Sequence, residues 1–142
     1  IGYLQEPDRS SGLRIDGNLS AIPRDSLVNV SGLISTTSGG ERRILVDQIS
    51  VVGTASPVPL AANNRDLKLP MMNGLYVRAY GRVKPGSITT FTYEITDGSD
   101  EEGILISTPE VPDLQPGQFV TVTGAAGFNN RRVIYERWPR SP

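Results

Sequence analysis

The sequence predicts an all-β chain: two small barrels in tandem, the first lacking its opening strand. Three observations predict this. Apolar residues fall in short runs rich in Val, Ile, Tyr and Thr, divided by Gly and Pro. No stretch carries a helical stripe over about 11 residues or more. The chain also repeats itself, in order, at a spacing near 90 residues.

Candidate strands run Gly2–Gln5, Leu13–Asp16, Leu27–Ile34, Arg43–Val52, Leu75–Val83, Thr90–Thr96, Ile104–Ser107, Phe119–Thr123 and Arg132–Arg137. Breakers lie between them: Ser38-Gly39-Gly40, Pro85-Gly86-Ser87, Asp97-Gly98-Ser99 and Pro116-Gly117. Leu60–Leu69 has room for one helical turn, bracketed by Pro57, Pro59 and Pro70. Leu75–Val83 alternates most clearly. Leu75, Val77, Ala79, Gly81 and Val83 share one face, and Tyr76, Arg78, Tyr80 and Arg82 share the other.

The repeat aligns three blocks. Ser11–Ile15 matches Glu102–Ile106 at an offset of 91, Val28–Gly32 matches Val120–Gly124 at 92, and Arg42–Leu45 matches Arg131–Ile134 at 89. Upstream, Tyr3–Asp8 falls over Tyr93–Asp97. Two copies of one supersecondary unit follow. The second copy has five strands, with its long Pro/Gly-rich connection (108–118) between the third and fourth. That is the order of an OB-fold barrel. The expected division is residues 1–53 for an incomplete unit, 54–73 for a linker, 74–138 for a complete unit and 139–142 for a tail.

Gly-Leu-Tyr-Val-Arg-Ala-Tyr-Gly-Arg-Val (74–83), Tyr-Glu-Ile-Thr-Asp-Gly-Ser (93–99) and Gln-Pro-Gly-Gln-Phe-Val-Thr-Val-Thr-Gly (115–124) resemble the tandem OB-like modules of secreted, multidomain bacterial proteins. Glu6–Ile15 resembles the junction of the second and third strands there. The resemblance implies a fold and an extracellular setting, and it implies no activity.

Residue 1 falls at the start of the first unit's second strand, so Leu75–Val83 has no counterpart ahead of it. Loss of one central strand removes ladder hydrogen bonds worth about 0.5–1.5 kcal/mol each and uncovers inward side chains worth about 1.5–3 kcal/mol each. The total is on the order of 10 kcal/mol, comparable to a small domain's whole stability. Three readings meet this deficit: a window cut from a longer chain, a unit that closes with four strands and the linker, or a strand supplied by another protomer. The candidate donors are Thr54–Asn73 and Arg137–Pro142. Pro57 and Pro59 extend the start of the linker, and Val58, Leu60, Leu67 and Leu69 need cover on its own units or on a neighbour.

Composition excludes several chemistries. The chain has 142 residues, no Cys and no His. A disulfide framework, a thiolate nucleophile and a Ser-His-Asp relay are therefore ruled out. Fourteen Lys and Arg against fifteen Asp and Glu leave a net charge of −1, which does not favour nucleic acid as a partner. No apolar run is long enough for a membrane helix, and membrane is not an expected partner. No nucleophile elbow, phosphate loop or distinctive carboxylate pair appears, so an enzyme is not expected.

The remaining site candidates are modest. Tyr76, Arg78, Tyr80 and Arg82 could stack on sugar rings or bases, or simply coat a sheet face or a unit interface. Asp97, Asp100 and Glu101, in an acidic Gly-containing turn, are candidate calcium ligands, although the spacing departs from an EF-hand. Asn18-Leu-Ser20 and Asn29-Val-Ser31 are sequons, giving Asn18 and Asn29 as glycan acceptors. The leading expectation is a structural subunit of an extracellular bacterial fibre or surface assembly, formed from copies of itself by strand complementation. The alternative is a non-enzymatic module binding polysaccharide or single-stranded nucleic acid through the Tyr/Arg face.

Overall fold

A computed structural model describes residues 1–110 and 113–137, in two sheets. The first holds β1 (Gly2–Gln5), β2 (Gly12–Asp16), β3 (Ser26–Thr36) and β4 (Arg42–Thr54), in the order β1-β2-β4-β3. The second holds β5 (Leu60–Ala61), β6 (Tyr76–Val83), β7 (Thr92–Thr96), β8 (Ile104–Ser107), β9 (Phe119–Phe128) and β10 (Arg132–Glu136). Its order is β5-β6-β7-β8-β10-β9, and β9 returns to pair with β6. That pairing closes β6–β10 into a five-stranded barrel. β3, β4 and β9 run longer than expected because both hairpins stay paired close to their turns, at Thr36↔Arg42 and Phe128↔Arg132.

The barrel interior follows from the period of two. Val77, Ala79 and Val83 of β6, Tyr93 and Ile95 of β7, Ile104 and Ile106 of β8, Val122 and Ala126 of β9 and Ile134 of β10 are all buried. Gly81 is required where β6 meets β7. A Cβ there would lie 2.8 Å from the backbone of Thr96.

The linker lies along this same barrel. β5 adds in parallel to β6, with Leu60 beside Val77. The expected helical turn is α1 (Asn64–Leu67), capped by the Asn63 side chain, which accepts from the Asp66 N–H. Leu67 is buried in the barrel core. Asn64 is fully buried and satisfied: its Oδ1 accepts from the Asp97 N–H, its Nδ2 donates to the Tyr80 carbonyl, and its own N–H donates to Asp97 Oδ2. Leu60 to Leu67 thus pack on their own barrel, the first of the two readings the linker's apolar residues left open, which removes this part of Thr54–Asn73 as a candidate donor. The other candidate donor, Arg137–Pro142, lies outside the described residues beyond Arg137.

The first sheet repeats the pairing of β7–β10. β1–β2 is antiparallel, β2–β4 parallel and β4–β3 antiparallel, as are β7–β8, β8–β10 and β10–β9. Two offsets need correction. Ile15 and Ile44 are partners, as are Ile106 and Ile134, so β4 and β10 match at 90 rather than 89. Gly2 pairs with Ile15 as Tyr93 pairs with Ile106, so Gly2, not Tyr3, stands where Tyr93 stands. Matching identical letters had hidden a one-residue slip, and such a slip reverses the face. Tyr93 fills the barrel core. At Gly2 the space is taken by Leu19, whose Cδ1 would lie 2.8 Å from an added Cβ.

Candidate functional site

The first sheet is open. Its edges are β1 and β3, and among the described residues β3 pairs only with β4. Alternation places Val28, Val30 and Ile34 of β3 and Ile44, Ile49 and Val51 of β4 on one face, beside Ile15 of β2. A register shift between Ser31 and Gly32 brings Asp47 in as an extra residue on β4. Ile15 is the only apolar residue of 1–53 to reach core burial, while Ile34 remains 60% exposed. β3 reads Ser-Leu-Val-Asn-Val-Ser-Gly-Leu-Ile-Ser-Thr over 11 residues. It contains no charge and no proline. Edge strands are usually guarded by Lys, Pro or brevity. β1 is short, at 4 residues; β3 has none of these protections.

A polar seam joins this sheet to the barrel. Glu41 is buried and accepts from Tyr3 OH at 2.8 and 3.0 Å and from Arg14 Nη1 at 3.2 Å. Asp16 accepts from Arg14 Nε and Arg43 Nη1. Burial, reinforced by the Glu41 hydrogen bond, pushes the Tyr3 phenol well above its ordinary pKa. Burial also pushes Asp16 upward, but hydrogen bonds from Arg43 and Arg14 outweigh it and hold the carboxyl below its ordinary value. The Tyr3 ring stacks on Tyr135 of β10, with centroids 5.9 Å apart. The backbones of Gly12 and Gly74 cross so closely that a Cβ on Gly12 would meet Gly74 atoms at 2.4 Å. Repeat-equivalent turns also dock, with the Asn130 N–H donating to the Gly39 carbonyl. A cleft of about 540 Å³ opens beside the seam, lined in part by Arg14, Arg43, Ser38, Asn129 and Tyr135. Several of these residues stood out in the sequence as repeat or turn positions, but none as a member of a seam, because that role needs both units in place.

The sequence candidates divide. Tyr76, Arg78, Tyr80 and Arg82 share the outer face of β6, as alternation required. The seam covers one end of that face. The Arg137 guanidinium sits 5.6 Å from the Tyr76 ring centroid, and the Tyr76 N–H donates to Gln5 Oε1. Arg137 itself is held by Asp25 of the first unit at 2.7 and 2.9 Å. Arg78 is half-buried, and only Tyr80 and Arg82 are exposed, with Arg82 donating to the Gly117 carbonyl.

Two of the calcium candidates are already engaged within the chain. Asp97 accepts from Asn64 and Ser99, and Asp100 accepts from Lys68 Nζ at 2.8 Å and from the Glu102 and Gly103 N–H groups. Glu101 is exposed. The lysine and these amides hold the oxygens a cation would need, and among the described residues no three acidic side chains gather around a metal position. Both sequon asparagines are exposed. Asn18 Oδ1 accepts from Ser20, and Asn29 stands on β3 opposite Ser50. Compared with family models, curated proteins and solved structures, the chain matches none.

Proposed function

We propose that the chain is a structural subunit that assembles with copies of itself, in an extracellular bacterial fibre or surface layer. Both units are read as OB-like, and the first takes its missing strand from a neighbouring protomer. One observation carries this reading: β3 is an 11-residue uncharged edge over a half-exposed apolar face, and the chain's own second unit covers the equivalent face with β6. Strand addition gives the edge ladder hydrogen bonds and buries the stripe Val28, Val30 and Ile34 together. Donor and acceptor surfaces differ, so the contact is heterologous and propagates unless a rotation closes it.

The test is a variant with a flexible linker and a spare copy of Leu75–Val83 fused ahead of Ile1. The parent chain should form concentration-dependent oligomers or filaments by size exclusion and negative-stain microscopy, and the fused variant should run as a monomer. A parent that stays monomeric when concentrated, or a fused variant that polymerises equally well, overturns the proposal.

A second reading, polysaccharide binding on the outer face of β6, rests on the exposed pair Tyr80 and Arg82. Loss of glycan retention in a Tyr80→Ala variant that still assembles would favour it.

A further inference from the structure

We propose that the seam between the two units binds an acidic polysaccharide, with a sugar carboxylate taken by Arg42 in the field of Arg132. The site lies within one chain, so it stands whether or not the chain assembles. A cleft of about 300 Å³ at the seam is lined by five charged residues, Arg14, Arg42, Lys68, Arg132 and Glu41. Pairing removes most of that charge. Glu41 holds Arg14, Asp16 holds Arg43, and Asp100 and Glu102 hold Lys68. Two cations are left over. Arg42 is exposed and has no hydrogen-bond or ion-pair partner among the described residues. Arg132 is only 6% exposed, and it donates to neutral acceptors: the Gly127 and Leu69 carbonyls and Asn73 Oδ1. Its Nε is buried without an acceptor, and Glu41 acts on it only through space. A buried cation with no bonded carboxylate is costly, and an anion in the cleft would offset that cost. The two arginines are equivalent at the offset of 90, so each unit contributes one. A guanidinium is a planar fork that matches a carboxylate.

The neighbouring cleft of about 540 Å³ makes the ligand a sugar chain. It shares Arg14 and Phe128 with the smaller one, so the two adjoin along the seam. It offers the Phe128 and Tyr135 rings, together with Thr37, Ser38 and Asn129, and among the described residues no carboxylate side chain lines it. Rings suit the apolar faces of sugars, and hydroxyl and amide groups suit their hydroxyls. A small free anion would use the arginines and leave this second cleft idle.

The probe is trigalacturonate, titrated into the chain and followed by calorimetry. It should bind, and its methyl ester, which keeps every ring but loses the charge, should bind at least about tenfold more weakly. Arg42→Gln should weaken trigalacturonate by at least about tenfold; Arg42 is exposed and unbonded, so this variant keeps the fold. Arg82→Gln, the same loss of charge on the outer face of β6, should leave binding unchanged. Monomeric galacturonate should bind at least about tenfold more weakly than the trimer. No binding, equal affinity for acid and ester, or an Arg42→Gln chain that binds no worse than the Arg82→Gln chain overturns the site. Equal affinity for monomer and trimer marks a small-anion site and overturns the polysaccharide assignment.

Discussion

The closed barrel and the open sheet are built from one pairing scheme, yet they differ in what that scheme buries. Ile106, Ile134 and Ala126 form one row across the barrel and are all inaccessible. Ile15, Ile44 and Ile34 form the matching row in the open sheet, and burial falls from Ile15 at 4% exposed to Ile34 at 60%. The gradient runs toward β3, the edge whose counterpart in the barrel, β9, is covered by β6. Side-chain identity along a strand therefore does not decide whether a core exists. Closure decides it, because an inward face is buried only when strands stand on every side.

The strongest way to sharpen this contrast is a matched pair of truncations. Ile134→Ala should cost about 4 kcal/mol, since it leaves a cavity in a closed interior. Ile44→Ala, at the equivalent position, should cost about 1 kcal/mol in the monomer, because a half-covered side chain leaves no enclosed void. Urea unfolding monitored separately in each unit would measure both. Equal costs would mean that the first sheet is already covered in solution.

The seam comes next. Glu41→Ala leaves Arg14 short of one of its two carboxylates in a buried setting and should destabilise the docking of the two units by about 3 kcal/mol. Its signature is earlier unfolding of the first sheet, with the barrel transition unmoved. A single shifted transition would show instead that the two regions melt as one.

Alkaline pH probes the same seam more gently. Tyr3 is held neutral in the folded state, with its pKa raised above the ordinary 10.0. Tyr135 shifts in the same direction, chiefly through burial. Their contribution is complete below pH 10. It is lost as pH rises beyond 10, at up to about 1.36 kcal/mol per pH unit for each tyrosine, because the unfolded phenols release protons first. Tyr3→Phe should flatten this alkaline loss in a pH series of melting temperatures, and an unchanged slope would place the titration elsewhere. The smallest effect belongs to the acidic turn. Lys68→Ala should cost less than about 1 kcal/mol, since the pair with Asp100 is partly solvated. Thermal melts with and without calcium should coincide for the parent.

Strand positions and turns were legible because β-structure writes its period and its breakers locally. Val77, Ala79, Gly81 and Val83 alternate with Tyr and Arg in the sequence just as they alternate in burial. Registers between repeats were less legible. Tyr3 and Tyr93 share a letter but not a face, and only the partner strand shows which residue stands across from Ile15. The linker was readable as one helical turn and as apolar residues in need of cover, but not in the way it docks, since the bonds of Asn64 to Tyr80 and Asp97 span separations of 16 and 33 residues. The Arg14–Glu41–Tyr3 cluster was invisible because its members come from β2, the turn before β4 and β1, and meet only once the sheet is formed. In the acidic turn, composition shows the carboxylates without showing the lysine and the amides that bond to them.

The absence of charge on β3 reaches beyond shape. Guarded edges repel one another through fields that dissolved ions damp within about 10 Å at 0.1 M. A neutral edge has no such field to damp, so brine and dilute buffer should join it to a mate with nearly equal ease. A polymer joined through such edges would tolerate swings in salinity that would loosen one held by ion pairs.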